Sequence, residues 1–332
     1  MHVLIVKMSS MGDVVHAQAL ASDVLAAFPG ARIDWVVERA FAPICALNPA
    51  IARVVPIAWR RWRSRLRDPG VRAELADFLR SLRGERYDHI LDCQGLIKSA
   101  AIVRLARGAN RIGPDRRSAR ESIASLCYDT RVSVPRDWHV IRRNRAIGAL
   151  GLGYPLDASP APALHAAPPD PLAMPWWPAQ APVVLVTGAS RDAKLWPEAH
   201  WLALVDRLAA AGLPVVWFWG SDAEKARAER LQAAATAAAS ASGTRLRSVV
   251  PPFLTVGEAA SVLGAAGAVV GLDTGFTHLA AALGVPTVGI FCDFDAVQCA
   301  VSGPARCESF GGVGLIPPAS QVIAAAERCL RL

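Results

Sequence analysis

A short apolar run, Ala268–Leu272, is followed at once by a polar turn and then by a helical pattern. Such a run is long enough for a buried strand and too short for a helix. After the turn Asp273-Thr274-Gly275, apolar residues recur at helical spacing up to Gly284, namely Phe276, Leu279, Ala280 and Leu283. We therefore predict a strand, a tight turn and a helix whose N-terminus suits an anionic ligand. An ordinary capped helix, with Asp273 or Thr274 as the N-cap, accounts for the same pattern.

Short apolar runs and longer helical stretches alternate along the rest of the chain. The predicted strands are residues 2–7, 33–37, 53–57 and 87–92 in the first half, and residues 183–187, 214–219, 247–250, 268–272 and 287–291 in the second. Helices are predicted between them, including residues 14–28 after the first strand and residues 319–330 at the end. Strands that alternate with helices favour parallel, doubly wound sheets, so the predicted fold class is α/β.

The pattern is interrupted between residues 155 and 182, where nine prolines occur. Proline removes backbone donors from helices and sheets, so this stretch is predicted to be irregular. A chain of 332 residues is also long enough for two domains. We predict an N-terminal domain of residues 1–155, a proline-rich linker of residues 156–182, a C-terminal domain of residues 183–318 and a last helix within residues 319–332.

Four polar clusters come directly after predicted strands. They are residues 9–13, 188–194, 220–224 and 273–275. The carboxyl ends of parallel strands meet at one edge of a sheet, and doubly wound sheets bind their ligands at that edge. The clusters therefore predict binding sites, which two such domains would place in a cleft between them.

Composition narrows the choice of ligand. A formal charge of +8 indicates an anionic partner such as a nucleotide, a phosphorylated glycan, a membrane surface or a nucleic acid. The sequence lacks basic motifs with interleaved aromatic residues, so no nucleic acid is expected. Its seven cysteines are odd in number and irregularly spaced, and its seven histidines include no i, i+4 pair. Neither disulfides nor a metal site is therefore predicted.

The first residues do not have the layout of a signal peptide, and no apolar run approaches the roughly 18 residues of a transmembrane helix. The expected location is the cytoplasm. The loop after the first strand also lacks Gly-x-Gly-x-x-Gly, which disfavours a NAD cofactor.

Several charged residues suit a group transfer. Asp13 could accept a proton from a hydroxyl nucleophile, although an Asp at this position more often caps a helix. Lys194 could neutralise a diphosphate, unless it is a solvated surface charge. The run Arg60-Arg61-Trp62-Arg63, together with Lys98 and Arg120, suits a partner with several carboxylates or phosphates. A solvated helix face would show the same run.

Six segments, taken in order, resemble a known family. They are Ser9-Ser10-Met11-Gly12-Asp13-Val14, Asp34-Trp35-Val36-Val37-Glu38, Arg60-Arg61-Trp62-Arg63, Asp92-Cys93-Gln94-Gly95-Leu96-Ile97-Lys98-Ser99-Ala100, Lys194-Leu195-Trp196-Pro197 and Asp273-Thr274-Gly275-Phe276-Thr277-His278. The set is similar to the lipopolysaccharide heptosyltransferases of glycosyltransferase family 9. The fourth segment and the arginine-rich run resemble the type I members rather than type II, which adds the second heptose.

The resemblance implies a GT-B fold, with two Rossmann-like domains, the first for the acceptor and the second for the donor. The last helix, within residues 319–332, is expected to pack back on the N-terminal domain. The implied reaction transfers L-glycero-D-manno-heptose from ADP-L-glycero-D-manno-heptose to the first Kdo of Kdo2-lipid A. It inverts the anomeric carbon and needs no cofactor and no obligatory metal. Peripheral contact with the cytoplasmic face of the inner membrane is a further expectation.

The resemblance also implies roles for residues. Asp13 would be the base that deprotonates the Kdo hydroxyl. The donor site would contain Ala189, Ser190 and Lys194 at the diphosphate, Glu224 at the ribose, Leu254 at the adenine, and Asp273, Thr274, Gly275 and His278. The acceptor site would contain Ser10, Gly12, Arg60, Arg61, Arg63, Lys98 and Arg120.

Two donor loops depart from the family pattern. Ala189 stands where a hydroxyl residue is common, and Cys292-Asp293-Phe294-Asp295-Ala296 replaces a Gly-Pro-Thr-Asp-like loop. Three alternatives stay open: a heptosyltransferase II, another nucleotide-sugar enzyme of this architecture such as a non-hydrolysing epimerase, and a nucleotide-binding module without catalysis.

Overall fold

The computed structural model of the protein describes residues 1–156 and 164–332. The chain divides into two compact units, Met1–Ala163 and Leu164–Leu332. The predicted proline-rich linker spans this division, and residues 157–163 of it lie outside the described residues. The division falls within the interrupted stretch of the sequence, while the predicted domain boundaries themselves stay predictions.

The first unit is a parallel sheet with helices on both faces. Its strands are β1 (His2–Val6), β2 (Arg32–Glu38), β3 (Arg53–Ile57), β4 (Tyr87–Asp92), β5 (Gly108–Pro114) and β6 (Thr130–Val132). Its helices are α1 (Met11–Ala27), α2 (Ala42–Ala46), α3 (Trp59–Trp62), α4 (Pro69–Arg83), α5 (Ile97–Leu105) and α6 (Val140–Leu152). Strand β1 pairs in parallel with β2 on one side and with β4 on the other, which explains why nearly all of its residues are apolar and buried.

The second unit repeats this plan. Its strands are β7 (Val183–Val186), β8 (Val215–Phe218), β9 (Ser248–Val249), β10 (Ala268–Leu272), β11 (Thr287–Phe291) and β12 (Cys307–Gly311). Its helices are α7 (Glu198–Ala210), α8 (Asp222–Ala241), α9 (Val256–Gly264), α10 (Gly275–Ala282), α11 (Ala296–Cys299) and α12 (Ala319–Leu330). Three buried tryptophans, Trp196, Trp201 and Trp217, fill much of its core.

Both sheets have the same strand order. Among the described residues the first runs β3-β2-β1-β4-β5-β6. The second, taken from the matching edge, runs β9-β8-β7-β10-β11-β12. In each sheet the strand order therefore reverses between two neighbouring parallel strands, the first and the fourth of the unit. These are β1 and β4 in the first unit and β7 and β10 in the second. The prediction of two doubly wound parallel sheets is confirmed, and the reversal is the place where such sheets bind ligands.

The agreement of the strands with the sequence depends on their apolar content. The predicted bounds of β3, β4, β10 and β11 are those of the structure. Strands β5, β6 and β12 were not predicted, because they carry glycine, arginine or other polar residues in place of an apolar run. In β5 the glycine is needed for packing: a Cβ on Gly113 would lie 2.5 Å from the ring of Tyr128.

The first and the last helix both bear on the predictions from the sequence. Helix α1 begins at Met11 and not at residue 14, which places Asp13 inside the first turn. The buried residues of helix α12, which include Val322, Ala325 and Ala326, belong to the core of the second unit, while the expected packing of this helix on the N-terminal domain stays a prediction. None of the described helices combines the length and the apolar character that spanning a bilayer requires.

A buried ion pair joins α1 to α6. Arg145 is 6% exposed, and its Nε and one terminal nitrogen donate to the two carboxylate oxygens of Asp23 at 2.6 and 3.0 Å. This bidentate geometry fixes one helix against the other.

Asp23→Ala should lower the free energy of unfolding by about 3 kcal/mol, because it leaves a buried guanidinium without its partner. Thermal and urea unfolding measure the effect. The matched control is Asp77→Ala, which removes the exposed partner of Arg80 on α4 and should change stability by less than about 0.5 kcal/mol. Equal effects of the two substitutions would contradict the role of the buried pair.

Candidate functional site

The first unit places Asp13 at the carboxyl end of β1. Ser10 precedes α1, and its backbone N–H and its hydroxyl both donate to Oδ2 of Asp13, at 2.9 and 2.8 Å. The capping role that the sequence allowed is therefore present. The other oxygen, Oδ1, lies 3.7 Å from Nζ of Lys7, and the side chain is 30% exposed. One oxygen of Asp13 thus holds the helix, and the other is left for a ligand.

Lys7 keeps Asp13 ionised. It follows β1, is buried, and donates from Nζ to the carbonyl of Cys93 at 2.8 Å. Burial raises the pKa of Asp13, but the charge of Lys7, the two bonds from Ser10 and the charge of Arg120 outweigh it, so the pKa lies below its ordinary value. The result is a carboxylate that can accept a proton from a neighbouring hydroxyl.

The loop after β4 is built on a buried carboxylate, Asp92. Its Oδ1 accepts the backbone N–H groups of Gln94 and Gly95 at 2.8 and 3.0 Å, and its Oδ2 accepts the hydroxyl of Tyr128 at 2.7 Å. Burial raises the pKa of Asp92 above its ordinary value despite these bonds. Gly95 has a positive φ of 63°, which lets the chain turn sharply into α5.

Gln94 joins this loop to the loop after β1. Its Oε1 accepts the backbone N–H of Met8 at 2.8 Å, and its Nε2 lies 3.4 Å from Oγ of Ser9. Nζ of Lys98 lies 3.4 Å from the same hydroxyl. The structure therefore places Lys98 beside the loop that contains Ser10, Gly12 and Asp13, while their role in binding the acceptor stays a prediction.

Three arginines form one group of positive charges, and two of them, Arg120 and Arg143, interact with Asp13. Arg120 was predicted, whereas Arg136 and Arg143 were not. Burial and the charges of Arg136 and Arg120 lower the pKa of Arg143, while Asp13 opposes this shift. Among the described residues, the buried Nε of Arg143 has no hydrogen-bond partner. Such a concentration of guanidinium groups suits a ligand with more than one anionic group.

The arginine-rich run lies elsewhere in the first unit. Arg60 and Arg61 are exposed on α3, and Arg63 follows it. Arg61 pairs with Glu74, while the guanidinium of Arg60 lies 5.6 Å from the ring centre of Phe41. In the part of the chain that the structure describes, none of these arginines pairs with Asp13, so their acceptor role stays a prediction.

In the second unit, Lys194 and Asp273 meet between β7 and β10. Lys194 ends the 3₁₀ turn Asp192–Lys194, and its Nζ donates to Oδ2 of Asp273 at 2.6 Å and to its carbonyl at 3.1 Å. Nε2 of His278 lies 3.1 Å from Oδ1 of the same residue. Burial raises the pKa of Asp273, but His278 and Lys194 outweigh it, so its pKa lies below its ordinary value.

The turn after β10 has the predicted form. Thr274 has extended backbone angles and precedes α10, which begins at Gly275. The first backbone N–H groups of such a helix have no partners inside the helix, so they can bind an anion. A Cβ on Gly271 would lie 2.3 Å from the Thr277 hydroxyl, so glycine is what allows α10 to sit this close to the sheet.

Glu224 lies at the neighbouring loops after β7 and β8. It is in the first turn of α8, and its Oε2 accepts the backbone N–H of Gly220 at 2.7 Å. A Cβ on Gly188 would lie 2.4 Å from Cγ of Glu224, so the glycine makes room for this side chain. After Gly188 in the loop, Ala189 is half-buried and Ser190 is exposed.

Leu254 belongs to a segment held by an aromatic side chain. Nε1 of Trp219 donates to the carbonyl of Pro251 at 2.8 Å, and the rings of Trp219 and Phe253 lie 5.7 Å apart. Phe253 is 63% exposed and Leu254 is half-buried. An exposed aromatic ring beside an apolar residue suits a flat base.

The loop Cys292–Ala296, which differs from the family pattern, is bonded to the loop that contains Lys194. Arg191, three residues before Lys194, pairs with Asp293 at 2.9 Å.

Some residues of the two sites were not identified from the sequence, namely Lys7, Gln94, Arg136, Arg143 and the pair Arg191–Asp293. Lys7 and Gln94 could have been found, because Lys7 ends the first predicted strand and Gln94 comes two residues after the predicted strand 87–92, so both lie at the ligand-binding edge.

Comparisons with known proteins agree with this arrangement. A family model described as glycosyltransferase family 9 (heptosyltransferase) matches residues 75–305. Lipopolysaccharide heptosyltransferase 1 of Pseudomonas aeruginosa is 41% identical over 295 residues, which cover 88% of this chain and 78% of the relative. That of Escherichia coli K12 is 39% identical over 298 residues, with 88% of each chain covered.

Solved structures give the same result. The chain is similar to the structure of E. coli heptosyltransferase WaaC with ADP, with a TM-score of 0.83, 34% identity and coverage of 99% of this chain and 100% of that one. For E. coli ADP-heptose lipopolysaccharide heptosyltransferase II, the TM-score is 0.75 at 22% identity, with coverage of 100% and 99%. At that identity the likeness concerns the fold alone.

Lys7→Met should raise the pKa of Asp13, because it removes the nearest positive charge while leaving both Ser10 bonds in place. Carbon-13 NMR of labelled aspartate carboxyl groups, followed through an acid titration, measures the shift. Lys225→Met, at an exposed lysine of the second unit, is the control and should leave the titration of Asp13 unchanged. An unchanged or lower pKa in the Lys7 variant would show that Lys7 does not set the charge of Asp13.

Proposed function

This chain belongs to glycosyltransferase family 9, the heptosyltransferases, and on that basis we propose that it adds the first heptose of the lipopolysaccharide inner core. The donor is ADP-L-glycero-D-manno-heptose, and the acceptor hydroxyl belongs to the first Kdo of Kdo2-lipid A. The family, the enzyme class and the two-domain parallel-sheet fold that the sequence resemblance implied are confirmed. The relatives with the higher identities are named heptosyltransferase 1, which supports the first heptose over the second.

Asp13 carries the proposal. It is ionised, half-exposed and directly beside a buried lysine, and one of its oxygens is not used by the helix cap. A general base must combine an available lone pair with the ionised state. In the proposed step the acceptor hydroxyl oxygen forms a bond to the anomeric carbon and gives its proton to Asp13. The bond from that carbon to the diphosphate oxygen breaks on the opposite side, and the electron pair leaves with ADP.

The second unit supplies the groups that the leaving diphosphate needs. Lys194 brings a positive charge, and the first N–H groups of α10 bring partial charges in the same region. A bound diphosphate would share Lys194 with Asp273, which holds its Nζ in place before the donor arrives. Such preset charges stabilise developing negative charge without reorganisation. Solved relatives with ADP and with ADP-2-deoxy-2-fluoro heptose support a nucleotide-sugar donor.

The remaining donor roles follow from position. Glu224 lies against the loop that contains Ala189 and Ser190, so its carboxylate can accept ribose hydroxyls near the diphosphate. Leu254, beside the exposed ring of Phe253, suits the adenine. We propose that Lys194 and the N-terminus of α10 perform the charge neutralisation that a metal ion performs in other nucleotide-sugar enzymes, so that the transfer needs no cofactor.

The acceptor is proposed from the charge around Asp13. Kdo carries a carboxylate and lipid A carries phosphates, while Lys98, Arg120, Arg136 and Arg143 supply cations in the first unit. The buried Nε of Arg143 is a donor to which an acceptor carboxylate can bind. Because this acceptor is a lipid, we propose that the protein works as a peripheral protein at the cytoplasmic face of the inner membrane.

The test is mass spectrometry of Kdo2-lipid A after incubation with ADP-heptose and the purified protein, in excess EDTA. The proposal expects one added heptose on Kdo2-lipid A and none on acceptor that already carries the first heptose. Addition only to the heptosylated acceptor would identify a second-heptose enzyme instead. Abolition of the transfer by EDTA, with recovery on adding a metal, would refute the metal-independent step.

Asp13→Asn should lower kcat by at least about a hundredfold, because the amide keeps the shape but cannot accept the proton. ADP affinity, measured by calorimetry, should stay within about twofold of the wild type, since Asp13 acts on the acceptor. Turnover near the wild-type rate would remove Asp13 from the mechanism.

Lys194→Met should weaken ADP binding by roughly tenfold to a hundredfold, because it removes a charge-assisted contact and leaves Asp273 to repel the diphosphate. Calorimetry with ADP measures the loss, and single-turnover kinetics should also show slower transfer. Arg245→Met, which removes an exposed cation near the amino end of β9 in the same unit, is the matched control and should bind ADP normally. Wild-type affinity and rate in the Lys194 variant would refute the assignment.

A further inference from the structure

Three large apolar side chains of the first unit project into solvent from two neighbouring segments. Ile97, at the start of α5, is 55% exposed, and Ile123 and Leu126, in the 3₁₀ helix Ser122–Cys127, are 57% and 71% exposed. We call these three residues the apolar ridge. Single exposed apolar residues are common on protein surfaces, but a group of them marks a contact surface.

The two segments of the ridge are fixed side by side. Glu121 donates its backbone N–H to the carbonyl of Gly95 at 2.9 Å, and its carboxylate accepts the N–H of Ile97 at 2.6 Å. Helix α5 also packs on the 3₁₀ helix. The ridge is therefore one preformed surface and needs no rearrangement to make contact.

Basic residues outnumber acidic residues in the stretch of chain that carries this surface. Residues 95–127 contain one lysine and six arginines but only two acidic residues, Asp115 and Glu121. Both acidic side chains accept backbone N–H groups. In the described part of the chain, no carboxylate forms an ion pair with Arg104, Arg116 or Arg117, which are all exposed. The ridge thus has a basic rim whose charge is not neutralised by the protein.

The ridge also borders the Asp13 site. Lys98, which directly follows Ile97, lies 3.4 Å from the Ser9 hydroxyl, and Arg120, which precedes Glu121, contributes to the low pKa of Asp13. A surface that binds the ridge is therefore next to the place where the acceptor sugar binds.

We propose that the apolar ridge and its basic rim dock on an anionic lipid bilayer. The inference rests on the proposed function in one respect: a lipid acceptor is then held in the bilayer on which the ridge sits. Apolar side chains enter the boundary between headgroups and acyl chains, while the arginines bind headgroup phosphates. A second copy of this chain is a poor occupant, because it would bring two basic rims together.

Vesicle co-sedimentation tests the proposal with the full chain. Wild-type protein should bind vesicles of equal parts phosphatidylglycerol and phosphatidylethanolamine, and bind far less to phosphatidylcholine alone. Ile123→Ser with Leu126→Ser should weaken binding about tenfold, because both side chains lose their burial in the bilayer. Arg116→Gln with Arg117→Gln should weaken it by a similar factor at low salt and have less effect at 0.5 M salt.

The matched control is Leu150→Ser, which removes an apolar side chain that is 58% exposed on α6. Helix α6 packs on α1, and the two crossovers place α1 and α5 on opposite faces of the sheet. This variant should bind vesicles as the wild type does. Equal binding by the ridge variant and the wild type would overturn the proposal. So would a dimer in analytical ultracentrifugation that the ridge substitutions dissociate.

A water-soluble Kdo acceptor without acyl chains separates this inference from the proposed function. With this acceptor the ridge variant should turn over at the wild-type rate, since Ile123 and Leu126 do not touch the reacting groups. With Kdo2-lipid A in anionic vesicles its kcat/KM should fall about tenfold, in step with its binding. Equal losses on both acceptors would overturn docking as the cause. Wild-type protein that binds vesicles but transfers no heptose would refute the function and leave the docking surface standing.

Discussion

Each unit depends on one constraint, the reversal of strand order at the centre of its sheet. The loops that follow the two central strands leave in opposite directions, so that polar groups at their starts stay uncovered at the carboxyl edge. In the first unit the loops after β1 and β4 supply Asp13 and Lys98, and Gln94 bonds one loop to the other. In the second unit the loops after β7 and β10 supply Lys194 and Asp273. Topology thus brings together residues that are far apart in sequence.

Each unit has a lysine beside an aspartate, but the two pairs serve different purposes. In the first unit Lys7 stays 3.7 Å from Asp13 and bonds to a backbone carbonyl, so the carboxylate keeps an oxygen for a substrate. In the second unit Lys194 contacts Asp273 at 2.6 Å, and the carboxylate orients a cation that serves an anionic ligand. The distance and the remaining partners decide which member of the pair does chemistry. In both units burial alone would raise the pKa of the carboxylate. Lys7, the Ser10 bonds and Arg120 lower the pKa of Asp13, and His278 and Lys194 lower that of Asp273.

The sequence predicts a structural feature well when neighbouring residues determine it, and poorly when contacts between distant residues do. Strands such as β10, buried on both faces, are continuous apolar runs and were predicted to the residue. Strand β5 was missed because its two glycines, Gly108 and Gly113, make room for Ile90 and Tyr128, contacts that no local pattern contains. The carboxyl-edge argument found Asp13, Lys194 and Asp273, but it could not show that Asp13 both caps its helix and keeps one oxygen free of that cap. Arg143 could not be found, because its place beside Asp13 is set by the packing of α6 on α1.

The bidentate bond between Asp23 and Arg145 has a mechanical consequence. Asp23 lies on the helix that begins at the proposed base, and Arg145 lies two residues after Arg143 on α6. Clamping the two helices in register sets the distance between the group that takes the proton and the guanidinium beside it. If α6 shifted, the bond would move α1 with it. Asp13 on α1 and Arg143 on α6 would then move together and keep their relative position.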